Sequence, residues 1–573
     1  AGLEIRTING LSAKIIEYFS TVYTDENVPH LMSREGDRKR LISEVYRLVT
    51  GEFADTATIN DIGAMITFAK NMMLSDEEIE ALSGSGYDTL RIYREYNLAL
   101  SSRSLMDYDD QMVTALEILR KYPDILAYFN GRFRYICVDE AQDTSKIQHE
   151  IIRLLAAKSG NIFMVGDEDQ SIYAFRGAYP EALIDFEKTY KNAQILFMEQ
   201  NFRSTPEIIG VADSFVKCNR FRREKTIRAV NKSGIPVRIV RCERRNAQYD
   251  FLCGIAARNE QQTAALFRNN DSAVVLVDML ERNNIPYRLK GGEKTFFTSR
   301  PVLDITEIIR FINNPYDIDS FMAIYYKIGL YITKQTAEAA CKISLQRHIT
   351  ITDALLGIDT GTQISVNSKR NIQQTAQLMR QAQSSSATEV LSIILHGMQY
   401  ADYAHKNGLD ENKYDILRML ARNVNSSAEL IDRLSELSGI MAEHKDDSFS
   451  KFTLSTVHSS KGLEYDCVYL LDVIDDVLPC ITKDKLNDKE DIKQYEEERR
   501  LFYVAVTRAR KELYLFSCKG ESSEFLDEIE KNLPIEYTDS NDIFFSLFAR
   551  DMLGRVYCNG KNGRGIIIAC CAE

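Results

Sequence analysis

Tryptophan is absent from this chain of 573 residues, so any flat aromatic platform must be built from its 29 Tyr or 26 Phe. Positive charge is also in short supply: 71 Lys and Arg against 83 Asp and Glu leave a formal net charge of -12. Proteins that coat nucleic acid neutralise phosphates with a basic surface, so the balance argues against that class and confines any nucleic-acid contact to a local groove. No apolar run approaches the roughly 18 residues of a membrane helix. Ala1 to Gly10 lack the basic-then-apolar pattern of a signal peptide. The 11 cysteines include no CxxC pair and no Cys/His cluster at ligand spacing, which disfavours zinc and a disulfide framework and fits free thiols in a reducing cytoplasm. Vicinal Cys570 and Cys571, and the short apolar stretch from Gly565 to Ala572, carry no assigned role. A GxxxxGK[ST] string, whose backbone amides and Lys cradle phosphates, occurs nowhere.

What is present fills several domains, since 573 residues predict three to four cores of roughly 100 to 200 residues each. The first hundred residues show apolar spacings of three and four, as in Leu11, Ile15, Ile16 and Phe19, and read as helices. From Tyr135 the texture changes to short apolar runs that end in acidic residues or glycine: Tyr135 to Val138 before Asp139, and Ile162 to Val165 before Gly166. Such runs, buried on both faces and alternating with helices, predict a parallel sheet in an α/β domain. They return at Ala264 to Phe267, Phe452 to Val457, Val468 to Leu471 and Leu513 to Phe516, with a polar helical stretch over about 315–445. Two α/β cores follow, each interrupted by a helical insertion. Ser384 to Ser386 reads as a loop, and Lys483 to Glu490 as a solvated charged loop.

The strongest local signal is Asp139-Glu-Ala-Gln-Asp143, directly after a predicted strand. Adjacent carboxylates at the C-terminal edge of a parallel sheet lie where such sheets bind ligands: Asp139 can hold Mg²⁺ through its water shell, and Glu140 can polarise a water attacking a γ-phosphate. The plainer reading is an acidic helix N-cap. Next comes Gly166-Asp-Glu-Asp-Gln-Ser-Ile-Tyr-Ala-Phe-Arg-Gly177, in which Gln170 could sense a γ-phosphate while Tyr173 and Phe175 offer platforms for single-stranded bases. Aromatics at such places are more often core. In Glu199 to Thr205, Phe202 could cover a purine and Arg203 reach a phosphate, although an Arg after a strand is usually a surface residue. Ser455 to Glu464 offers hydroxyls, His458 and the backbone at Gly462 to phosphodiesters, and Glu464 to a ribose. Glu496 to Arg510 reads as a helix, on which Arg508 could act as an arginine finger or sit in an exposed i,i+4 pair.

Taken together and in order, DEAQDT, GDEDQSIYAFRGA, EQNFRST, TVHSSKGLEYD and EEERRLFYVAVTRA resemble motifs II to VI of the UvrD/Rep/PcrA helicases of superfamily 1, with weaker similarity up to about residue 530. The resemblance implies an α/β fold of two RecA-like parallel-sheet motor lobes, each with a mainly helical insertion. The first lobe would take residues 1–12 and 105–225 with insertion 13–104; the second 226–314 and 446–535 with insertion 315–445; 536–573 would be a tail. It implies ATP and Mg²⁺ as cofactors, with Asp139 on the metal, Glu140 as base and Gln170, Arg203 and Arg508 on the γ-phosphate. Arg176, Phe202, Gly462 and Glu464 would meet the rest of the nucleotide. Tyr173, Phe175, His458, Phe267 and Arg268 would touch single-stranded DNA. Tyr326 to Gly329 resembles the family's duplex-contacting turn through Ile328 and Gly329, but Lys327 stands in place of its first glycine. Phe175 stands where the best-known members carry Trp.

The implied activity is an ATP-dependent 3′ to 5′ helicase or translocase of the cytoplasm, serving DNA repair, replication or recombination at single strands and duplex junctions, with no membrane. The family needs the missing phosphate loop, which is expected in an N-terminal portion ahead of Ala1, because Thr7 to Gly10 resembles the segment after motif Ia. Two alternatives stand beside it: a catalytically incomplete single-strand-binding module, and the motor part of a helicase-nuclease. RNA is a further possible track, since stacking is indifferent to the sugar.

Overall fold

The structure is a computed structural model that describes the chain except residues 1–2, 55, 83–86, 259, 358–365, 444–446, 448, 522, 533–535 and 540–573. The 83–86 turn signal and the apolar, cysteine-bearing C-terminal stretch lie outside the described residues.

A seven-stranded, wholly parallel sheet forms the larger lobe, in the order Glu536–Asp539, Arg238–Cys242, Ala509–Cys518, Tyr465–Leu470, Thr263–Phe267, Phe452–Thr456, Arg288–Lys290. Thr263–Phe267 and Phe452–Thr456 are buried at every position, as strands covered on both faces must be. One face packs on the second insertion, where Phe267, Leu289, Ile308 and Leu417 share a core. The other face is covered by Lys489–Val506, Glu524–Asn532 and Pro206–Val216, with Ile239, Leu266, Phe502 and Phe215 in common. Pro206–Val216 had been expected with the first lobe. It packs on the second because its apolar face (Ile208, Val211, Ala212, Phe215) meets the helix Lys489–Val506.

The smaller lobe pairs Ile136–Val138 with Ile162–Met164, again parallel, under helices including Tyr108–Lys121 and Lys146–Ala156. Ile8–Val22 packs here too: Ile15, Ile16 and Phe19 join Leu116, Phe129 and Ile151. The first insertion has its own core, from Leu41 to Leu100. A buried polar lattice ties it down, with Lys70 between Asp107 (3.0 Å) and Asp110 (2.6 Å) and Asn71 donating to Asp109 (2.8 Å). Among the described residues no helix is long and apolar enough to cross a membrane.

Candidate functional site

The acidic motif begins where Ile136–Val138 ends. Glu140 takes a left-handed backbone (φ 49°), an unusual conformation for a residue with a side chain, and its carboxylate is held by Gln142 Nε2. Gln142 also accepts the backbone N–H of Asp167 (3.0 Å), which couples the acidic turn to the next strand's exit loop. Gly166 is needed for that approach: a Cβ there would lie 2.6 Å from Gln142 Oε1 and 2.7 Å from Leu183. The requirement is close packing rather than backbone conformation, since Gly166 has no positive φ.

Gln170 sits at the centre. Its amide donates to Asp167 (2.7 Å) and its Oε1 lies 3.4 Å from Arg508 Nη2. Arg508 is not on a helix. The helix Lys489–Val506 ends two residues earlier, and the guanidinium folds back to donate to the carbonyls of Val504 (2.9 Å) and Leu463 (3.2 Å), satisfying the helix end. Only 1 % of Arg508 is exposed. Burial, and then the nearby positive charge of Arg203, lower its pKa to about 10, whereas Glu140 and Asp167 act the other way. Arg203 binds Glu464 (Nε to Oε2, 2.7 Å), which holds the Glu464 carboxyl below its usual range; Arg510 takes the other Glu464 oxygen (3.1 Å). Gly462 has φ 79°, a turn that favours glycine. Asp139 and Glu140 are exposed, and Phe202 is 70 % exposed with its ring free to cover a planar group.

A second cavity of ≈ 1170 Å³ opens between the lobes and is lined by Tyr173, Phe175, Arg176, Arg268 and His458. The three rings form a corner: Phe175 meets His458 edge-on at 5.7 Å, and Tyr173 is 6.0 Å from each. Arg176, expected on the nucleotide side, lies 5.5 Å and 5.4 Å from the Tyr173 and Phe175 centroids. Burial, then Arg268, push the His458 pKa down to about 4, so its ring is neutral near pH 7. Arg268 is bound through two nitrogens by Glu498 (2.8 and 3.0 Å).

One expected strand contact and the expected duplex-contacting turn are placed elsewhere. Phe267 is 0 % exposed, in the middle of the large sheet, where an apolar strand residue belongs. Ile328 is 3 % exposed within the second insertion's core, and the Gly329 N–H is spent on Met398 O (2.9 Å). Lys327 does not replace a glycine contact to solvent: it is buried and paired with Asp304 (2.7 Å), which also accepts from Tyr400 (3.0 Å).

Sequence reasoning missed the inter-lobe polar seam. Glu496 to Arg510 reads as a helix with no role for its charge run, yet Glu496, Glu498, Arg499 and Arg500 are buried. Glu496 accepts the backbone N–H of Arg220 (2.8 Å), Glu497 that of Ala174 (3.0 Å), and Arg500 donates to Ser171 O (3.1 Å). Lys461 enters the first lobe and binds Asp143 (2.6 and 2.7 Å) and Gln170 O (2.7 Å). The recurrence of these ionic residues at one helix turn was the available signal.

Residues 1–191 match the family model described as the UvrD/REP helicase N-terminal domain, and residues 196–520 the UvrD-like helicase C-terminal domain. Their junction falls just before Pro206–Val216, in keeping with that helix packing on the second lobe. An ATP-dependent DNA helicase PcrA of Staphylococcus epidermidis is 29% identical over 511 residues, 83% of this chain and 69% of the relative. One of Staphylococcus aureus is 29% identical over 491 residues, 80% and 66% respectively.

Proposed function

We propose, from the premise that this chain belongs to the UvrD-like helicase family, that it works in an ATP-driven motor that moves 3′ to 5′ on single-stranded DNA and parts duplex ahead of it. The observation that carries the reading is the loop from Asp167 to Gly177. Its Gln170 faces Arg508 at the nucleotide cleft, and its Tyr173 and Phe175 face His458 at the second cavity. One short segment therefore serves both sites.

The donor set fits the γ-phosphate side of a nucleotide. Two guanidiniums, 305 residues apart (508 minus 203), converge beside two exposed carboxylates. Bound Mg²⁺ and ATP would supply the electrophilic phosphorus and neutralise its oxygens. Asp139 would hold the metal's water shell, and Glu140, fixed by Gln142, would take the proton of the attacking water. Gln170 belongs to the first lobe and Arg508 to the second, so both reaching one anion draws the lobes together, and Arg203 leaves Glu464 for the same anion. Tyr173 and Phe175 then shift relative to His458, and bases stacked on them advance. Arg176, over both rings, adds a cation at the strand.

The 573 residues contain no phosphate-loop string, so on their own they should bind single strands while hydrolysing ATP slowly or not at all. The test is ATP hydrolysis by the complete gene product with and without single-stranded DNA. Stimulation by the strand that vanishes in Glu140→Gln supports the motor; no stimulation in the wild type, or an unaffected Glu140→Gln variant, favours a binding module.

A further inference from the structure

We infer that Lys461 is the positioning residue that joins the two sites, holding the loop Asp167–Gly177 so that a base can stack on Tyr173. This rests on the single-strand reading above and adds to it a device that the nucleotide and strand contacts do not include. Lys461 comes from the second lobe, three residues after His458, and its side chain is 9% exposed. Its ammonium has three donors and meets three oxygens of the first lobe, both carboxylate oxygens of Asp143 and the carbonyl of Gln170. It also stands 5.2 Å from the centroid of the Tyr173 ring. Tyr173 in turn donates its hydroxyl to His458 O (3.3 Å).

The consequence is geometric. Asp143 closes the short turn that begins at Glu140, and Gln170 carries the amide that faces Arg508. Any displacement of the Glu140 turn or of Gln170 is passed through Lys461 to the Tyr173 ring. A charge-assisted contact of this kind, nine-tenths out of water, is stiff as well as strong, and losing one partner strands the other. Helix Lys489–Val506 seals the same seam from the other side through Glu497 and Arg500, so the lobes still dock when Lys461 is altered. What is lost is the setting of the loop.

The experiment uses this chain and a single-stranded oligonucleotide carrying 2-aminopurine, whose fluorescence is quenched on stacking. Wild type quenches it at saturation. Lys461→Met, folded with a wild-type circular dichroism spectrum, loses that quench and binds roughly tenfold more weakly, the loss of about one stacked base. A folded Lys461→Met with wild-type quench and affinity overturns the inference. Should that variant not fold, Asp143→Ala decides in the same way. If wild type itself neither binds nor quenches, the single-strand reading has failed, and the inference with it. If wild type binds and Phe175→Ala weakens it while both seam variants do not, only the role of Lys461 has failed.

Discussion

Arg203 Nε lies 2.7 Å from Glu464 Oε2, so the cation expected on a γ-phosphate and the carboxylate expected on a ribose form an ion pair. Both are partly exposed, so the pair adds little stability, and exchanging it for a nucleotide contact costs little. In the complete gene product Arg203→Ala and Arg508→Ala should each lower strand-stimulated kcat by about 10³-fold, the scale of an arginine finger, with strand affinity nearly unchanged. Steady-state hydrolysis and anisotropy titrations check both halves.

The aromatic corner predicts a division between binding and folding. Phe175 is 52 % exposed, so Phe175→Ala should weaken single-strand binding by about 1–3 kcal/mol and leave thermal stability close to wild type. Phe267→Ala should do the reverse. With no exposure and a place in the large sheet, it should cost about 3–5 kcal/mol of stability. Paired melting curves and titrations separate the two.

How much of this was legible in the sequence differs by element. Thr263–Phe267 is legible as a short apolar run, as is the acidic turn at Asp139, whereas Phe452–Thr456 is buried throughout although Thr453, Ser455 and Thr456 interrupt its apolar residues. Arg238–Cys242 and Arg288–Lys290 are not, because Arg238, Arg241, Arg288 and Lys290 break up their few apolar residues. Phe267 and Ile328 were placed on DNA by motif position alone, although their surroundings bury them. The polar seam was hidden for another reason: Lys461 and Asp143 are 318 residues apart, and no local pattern pairs them.

Acid sensitivity follows from two histidines. Burial lowers His149 to about 4, and burial followed by Arg268 lowers His458 to about 4, against 6.5 for an exposed imidazole. Well above pH 6.5 both are neutral in folded and unfolded chains and contribute nothing to the pH dependence. As pH falls from 6.5 towards 4, the unfolded imidazoles take up protons that the folded ones refuse, so stability declines across that window. The melting temperature should therefore be flat from pH 8 to 7 and fall from 6.5 to 5.5, and His149→Gln should flatten the fall. A wild-type Tm that does not change between 6.5 and 5.5 would contradict this.

The most direct measurement of the central claim, that a single strand runs between the lobes over the loop that also faces the nucleotide, is photocrosslinking. Oligothymidylate carrying 4-thiothymidine would be irradiated with this chain, and the modified peptides mapped by mass spectrometry. Adducts should fall on the segment holding Tyr173 and Phe175 and on the one holding His458, and an excess of unmodified strand should suppress them. Adducts confined to the helical insertions, or scattered over the surface and insensitive to competitor, would contradict the account.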